Sequence, residues 1–139
     1  MSEIRIAIVR SRFNEHITSK MLQAALGRAK KRGVGVSAIV EVPGAFDSPL
    51  AAKKLLKRKD VAAVAVIGAI VTGGTKHDEV IGHAIAHSLS LLSIEFGKPV
   101  ALGVIGPGVS ERQARDRAVE YGARSVDACI DLVNAIGKI

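Results

Sequence analysis

The chain has no tryptophan, one tyrosine, three phenylalanines and a single cysteine in 139 residues. With aromatics at 3%, it lacks the stacking surface that a single-stranded nucleic-acid platform needs. A lone thiol, Cys129, forms no disulfide framework; it falls in a predicted helix with apolar neighbours, which suits a structural role. No cysteine cluster points to zinc. No apolar run is long enough to span a membrane. A strand pattern starting at Ile4 leaves no room for a leader peptide, so the expectation is a cytoplasmic protein.

What the chain has in excess is apolar and basic. Hydrophobic residues make up 48% and the mean hydropathy is +0.28, both high for so short a sequence read as one domain, residues 1–139. Residues 84–94, AIAHSLSLLSI, are small or apolar nearly all round and so need cover on more than one side. A homo-oligomer is the simplest cover. Lysine and arginine total 20 against 13 acids, a net charge of +7. Two basic clusters, Lys30-Lys31-Arg32 and Lys57-Arg58-Lys59, close predicted helices, where cations offset the dipole, so no nucleic-acid partner is implied. The remaining cations are available to an anionic small substrate.

Strand and helix patterns alternate along the chain: strands at Ile4–Val9, Ala38–Val42, Val61–Val71 and Val100–Ile105, helices at Glu15–Arg32, Ser48–Lys59 and His77–Phe96. Two further helices are expected within Glu111–Ile136, broken near Tyr121-Gly122. Repeated βα units imply an α/β fold: a flavodoxin-like three-layer α/β/α sandwich on a four-stranded parallel sheet. Ligands in such sheets bind at the carboxyl ends of strands, so the residues after each strand are the candidates.

After the third strand runs Gly68-Ala-Ile-Val-Thr-Gly-Gly-Thr-Lys-His77. Gly73, Gly74 and Thr75 join a strand end to a helix start, where free backbone N–H groups and the helix dipole suit an oxyanion; His77 lies one step further on. The stretch matches neither GxxxxGK[ST] nor GxGxxG. After the first strand come Phe13, a candidate to stack on a planar ligand or to staple the helix near Thr18, and Asn14, placed as a helix cap. After the second comes Val42-Pro-Gly-Ala-Phe-Asp-Ser-Pro49, with Asp47 as a helix cap or a ligand-binding carboxylate. After the fourth come the turn Gly106-Pro107-Gly108 and a capping box, Ser110 to Gln113, opening a helix that carries Arg112, Arg115 and Arg117. His83 and His87 share a helix face at i and i+4 but lack an evident third ligand, so no metal is assigned.

In order and near-spacing, Arg12-Phe-Asn14, Val42–Pro49, Gly68–His77, Pro99–Val104 and Gln113–Arg117 resemble the 6,7-dimethyl-8-ribityllumazine synthase family, over essentially the whole chain. The resemblance implies a cofactor-free condensation of 5-amino-6-(D-ribitylamino)uracil with 3,4-dihydroxy-2-butanone 4-phosphate. By the same motifs, Phe13, Ala45, Phe46, Asp47, Ala69, Ile70, Val71 and Leu102 would bind the aminouracil. Gly74, Thr75 and Arg117 would bind the phosphate, Arg124 would assist, and His77 would move protons. It also implies ring pentamers that stand alone, pair into decamers or close into sixty-subunit shells, with Leu102 and Arg117 reaching a neighbour's site. Many members carry Glu at the position of Asp47 and Phe at that of Leu102. The rival readings are the archaeal type of riboflavin synthase, which needs no phosphate cradle, and a non-catalytic flavin- or phosphate-binding shell protein.

Overall fold

The computed structural model describes residues 3–139; Met1 and Ser2, part of the expected single unit, lie outside the described residues. The elements run β1 (Arg5–Ser11), α1 (Glu15–Lys31), β2 (Gly35–Val42), a 3₁₀ turn (Ala45–Asp47) and α2 (Ser48–Leu56). They continue as β3 (Ala63–Val71), α3 (His77–Phe96), β4 (Val100–Val109) and α4 (Glu111–Ile136). All strand pairs are parallel, in the order β2-β1-β3-β4. This is the flavodoxin-like α/β sandwich that the alternating pattern predicts.

The two-residue period of the strands sorts the core into two layers. Ile6, Ile8, Ala65 and Ile67 face α1 and α4, where Met21, Ala25, Ala118 and Val126 meet them. Ala7, Val9, Val64 and Val66 face α2 and α3, against Leu55, Leu56, Ile85 and Leu89. Ile6, Ile8 and Ile67 are at most 1% exposed, and burial of each such side chain contributes about 1.5–3 kcal/mol. Cys129 lies fully within the first layer, and burial pushes its thiol up to about 12, an inert structural residue as expected.

The expected break in the last helix is absent: α4 is continuous from Glu111 to Ile136. Gly122, read as a breaker, is instead where α1 crosses α4; a Cβ there would stand 2.2 Å from the carbonyl oxygen of Met21. Close approach of two backbones, not a turn, requires this glycine. A further difference lies in β4, which continues through Gly106-Pro107-Gly108 to Val109, since Val71 still pairs with Val109 beyond a register shift. Those three residues are strand irregularity and not a free turn. Arg32 also departs from its expected role, because it turns to Asp127 and Asp131 of α4, both at 3.0 Å.

Candidate active site

From β1 the chain passes to β2 on one side and later to β3 on the other, so the loops after β1 and β3 diverge and leave a crevice. A cavity of about 420 Å³ opens there. The loop after β1 contributes Phe13, the 3₁₀ turn contributes Ala45 and Phe46, and the end of β3 contributes Ala69, Ile70 and Val71. The β3–α3 loop and the start of α3 add Gly73, Thr75, His77, Asp78 and Ile81.

Two aromatics of this aromatic-poor chain, Phe13 and Phe46, line the cavity while 70% and 65% exposed. Thr18, the expected partner of a Phe13 staple, is buried and accepts a hydrogen bond from Arg10 Nη1 at 3.4 Å. Asn14 stands at the N-cap position with φ 62° and makes no side-chain cap. Its Nδ2 donates instead to the carbonyl of Ala69 at 2.9 Å, tying the β1 loop to the end of β3. Asp47 likewise leaves α2 uncapped; its Oδ2 accepts the Gly44 N–H at 2.9 Å and folds the 3₁₀ turn back on itself. It stands beside the cavity wall and not on it.

Along the β3–α3 loop, a Cβ at Gly73 or Gly74 would meet no heavy atom within 4 Å, and neither glycine has a positive φ. Among the described residues nothing demands glycine there, which leaves an open stretch of backbone that a ligand can approach closely. Thr75 Oγ1 accepts the His77 N–H at 3.3 Å, and His77 is the exposed first residue of α3. Asp78, the next residue, is buried; its Oδ2 accepts from Gly108 N at 3.1 Å and from Thr72 Oγ1 at 3.3 Å. The Gly108 bond, ahead of opposing desolvation, holds this carboxyl below the ordinary carboxylate range.

Leu102, Arg117 and Arg124 do not line this cavity. Leu102 and Arg124 line a second cavity, of about 220 Å³, between β4 and α4 with Tyr121 and Ser125. Arg124 pairs with Glu120 at 3.3 Å and lies 5.6 Å from the Tyr121 ring centroid. Arg117 is exposed on α4 and enters none of the ion pairs among the described residues, whereas Arg115 lies 3.9 Å from Glu111. The Ser110–Gln113 capping box that starts α4 is formed, with bonds of 2.9 and 3.1 Å. His83 and His87 are both exposed on α3.

Sequence reading alone missed the cross-crevice bond of Asn14 and the buried position of Asp78. Asp78 had a visible signal: an acid between an oxyanion loop and a helix, facing a hydroxyl residue at Thr72, has more to do than offset a dipole.

A parallel α/β sheet with its crevice at the switch point, carrying an apolar slot, a glycine loop and a histidine, has the form of an α/β enzyme with its ligand site at the carboxyl ends of the strands. Residues 3–136 match the family model for 6,7-dimethyl-8-ribityllumazine synthase. A 6,7-dimethyl-8-ribityllumazine synthase of Sulfolobus acidocaldarius is 45% identical over 138 residues, covering 99% of this chain and 87% of that protein. Those of Metallosphaera sedula and Saccharolobus islandicus are 46% and 47% identical, over 94% and 98% of this chain and 87% and 88% of theirs. The chain belongs to the 6,7-dimethyl-8-ribityllumazine synthase family.

Proposed function

We propose that this enzyme, one unit over residues 1–139, condenses 5-amino-6-(D-ribitylamino)uracil with 3,4-dihydroxy-2-butanone 4-phosphate. The products are 6,7-dimethyl-8-ribityllumazine, phosphate and water, in the synthesis of riboflavin. The carrying observation is the family match along nearly the whole chain, supported by a cavity whose lining includes Ala69, Ile70, Val71, Gly73 and His77.

In this reading the pyrimidine enters the slot of Ala69, Ile70 and Val71 and stacks on Phe13. Ala45, Phe46 and Asp47 hold the ribityl chain and the uracil edge. The exposed aromatics and the fixed 3₁₀ turn support that assignment. Gly74 and Thr75 take the phosphate, the unencumbered backbone of the loop being the support. The aminouracil amine attacks the butanone carbonyl and water leaves as the imine forms. Loss of the C3 proton and of phosphate then leaves an enol that tautomerises to a carbonyl at C3, and the ring closes by attack of the ribityl-bearing nitrogen on that carbonyl with loss of a second water. His77 carries protons among amine, carbonyl and leaving phosphate. The two reactants supply all the reactive groups, so no cofactor enters, and holding them together provides much of the acceleration.

Leu102 and Arg117 act on a neighbouring copy's site, with Arg124 assisting, so that the 420 Å³ cavity of one subunit faces the β4–α4 side of the next. The support is that none of the three lines the first cavity and that Arg117 enters no ion pair among the described residues. Ring pentamers are the proposed unit. Val80, Leu91 and Ile94 on α3 are 65%, 53% and 76% exposed in one chain, which leaves the small and apolar run of that helix open for such contacts. A cytoplasmic setting goes with the single buried thiol. Incubating the protein with both substrates tests the reading. Lumazine absorbance should rise with equimolar phosphate release; neither appearing would refute it.

A further inference from the structure

We propose that Asp78 is a positioning residue whose carboxylate latches the phosphate loop shut at its base. The proposal rests on the reading of that loop as the phosphate site. Thr72 and Asp78 are the two ends of the segment that carries Gly73, Gly74, Thr75 and His77, and their side chains meet at 3.3 Å. Thr72 is itself pinned, its N–H donating to Val109 O at 2.8 Å. The same Oδ2 of Asp78 accepts from Gly108 N, so one oxygen joins the end of β3, the end of β4 and the first turn of α3.

The packing beneath this oxygen is tight. A Cβ at Gly82, one turn further along α3, would stand 2.6 Å from Pro107 Cδ, so the helix start already presses on the β4 extension. At 7% exposure Asp78 is shielded from water, whereas Gly73 to His77 are exposed. A loop open to ligand along its length and fixed at its two ends holds its N–H groups in place before phosphate arrives. Toward the substrate Asp78 thus acts through geometry: what matters for phosphate binding is one acceptor oxygen at one place, not a proton given or a charge offered to the ligand.

That distinction sets the test. In Asp78→Asn the amide oxygen can take the place of Oδ2 and keep both bonds; in Asp78→Ala both are lost, and in Thr72→Val one is lost at an exposed position. Steady-state kinetics on the full chain should show the KM for the butanone phosphate raised about tenfold in Asp78→Ala and a few-fold in Thr72→Val. Inhibition by inorganic phosphate should weaken in step, and the KM for the aminouracil should change less than about twofold. Asp78→Asn should stay within about twofold of wild type on every constant. The proposal fails if Asp78→Asn loses as much as Asp78→Ala, if both KM values move together, or if Thr72→Val leaves phosphate inhibition unchanged. Should Asp78→Ala not fold, Thr72→Val and Asp78→Asn decide the matter. Calorimetric titration of inorganic phosphate into wild type and Thr72→Val tests the latch without turnover. A wild type that binds phosphate but makes no lumazine would therefore remove the proposed reaction and leave the latch standing.

Discussion

The side-chain amide of Asn14 donates to the carbonyl of Ala69 across the crevice at 2.9 Å, and this bond ties the loop that carries Phe13 to the end of β3. Asn14 holds φ 62°, a left-handed conformation that glycine adopts without cost, so Asn14→Gly removes the side chain and spares the backbone. Loss of one such bond should raise the KM for the aminouracil roughly three- to tenfold. The KM for the phosphorylated substrate should move less than about twofold. Steady-state kinetics with each substrate varied in turn makes the comparison, and an equal rise in both would mean that Asn14 merely holds the loop together.

Arg117 should show the opposite preference. Its guanidinium enters no ion pair among the described residues and is available to a phosphate, and charge-assisted bonds are worth about 1.5–3 kcal/mol. Arg117→Ala should therefore raise the KM for the butanone phosphate roughly ten- to a hundredfold while the aminouracil constant changes by less than about threefold. Similar changes in both constants would assign Arg117 a structural role.

At Gly122 the expected effect is on stability. The Cβ of Gly122→Ala would sit 2.2 Å from Met21 O, and main chain cannot yield as a flexible side-chain end can. The crossing of α1 and α4 must open, at a cost of roughly 2–3 kcal/mol. Thermal unfolding should show Tm lowered by roughly 8–12 °C. An unchanged Tm would mean that the two helices are not held in this contact.

These cases show what was legible in the sequence. Alternating β-branched runs such as Val64–Ile67 fixed the strands and their order of appearance, because burial on both faces leaves a compositional trace. The strand-end motifs likewise located the crevice. Gly122 misled, since a glycine needed for close approach and one that ends a helix look alike in one dimension. The caps expected of Asn14 and Asp47 failed for a similar reason: each side chain found a partner closer in space than the helix end, Ala69 O for one and Gly44 N for the other. That Leu102 and Arg124 line a cavity other than that of His77 depends on the path of α4 over β4, which no local pattern encodes.

The depressed Asp78 carboxyl gives a pH signature. Its folded-state value lies below that of the unfolded chain, so its contribution to stability is present above the unfolded range, about pH 4, and is lost as pH falls through the lower folded value. The Tm of wild type minus that of Asp78→Asn should thus be largest near neutrality and shrink as the pH falls below about 4. A difference that stays constant down to acid pH would mean that the Thr72 and Gly108 bonds do not favour the ionised form.

The proposed site is divided between copies, with His77 from one subunit and Arg117 from the next. His77→Ala and Arg117→Ala proteins, unfolded together in equal amounts and reassembled, test it most directly. If the site is shared, random assembly returns wild-type His77 and wild-type Arg117 to about a quarter of the sites. Lumazine formation at subsaturating butanone phosphate should then climb toward about a quarter of the reassembled wild-type rate. Activity that stays at the mean of the two variants reassembled separately would place both residues in the same subunit's site and contradict the account.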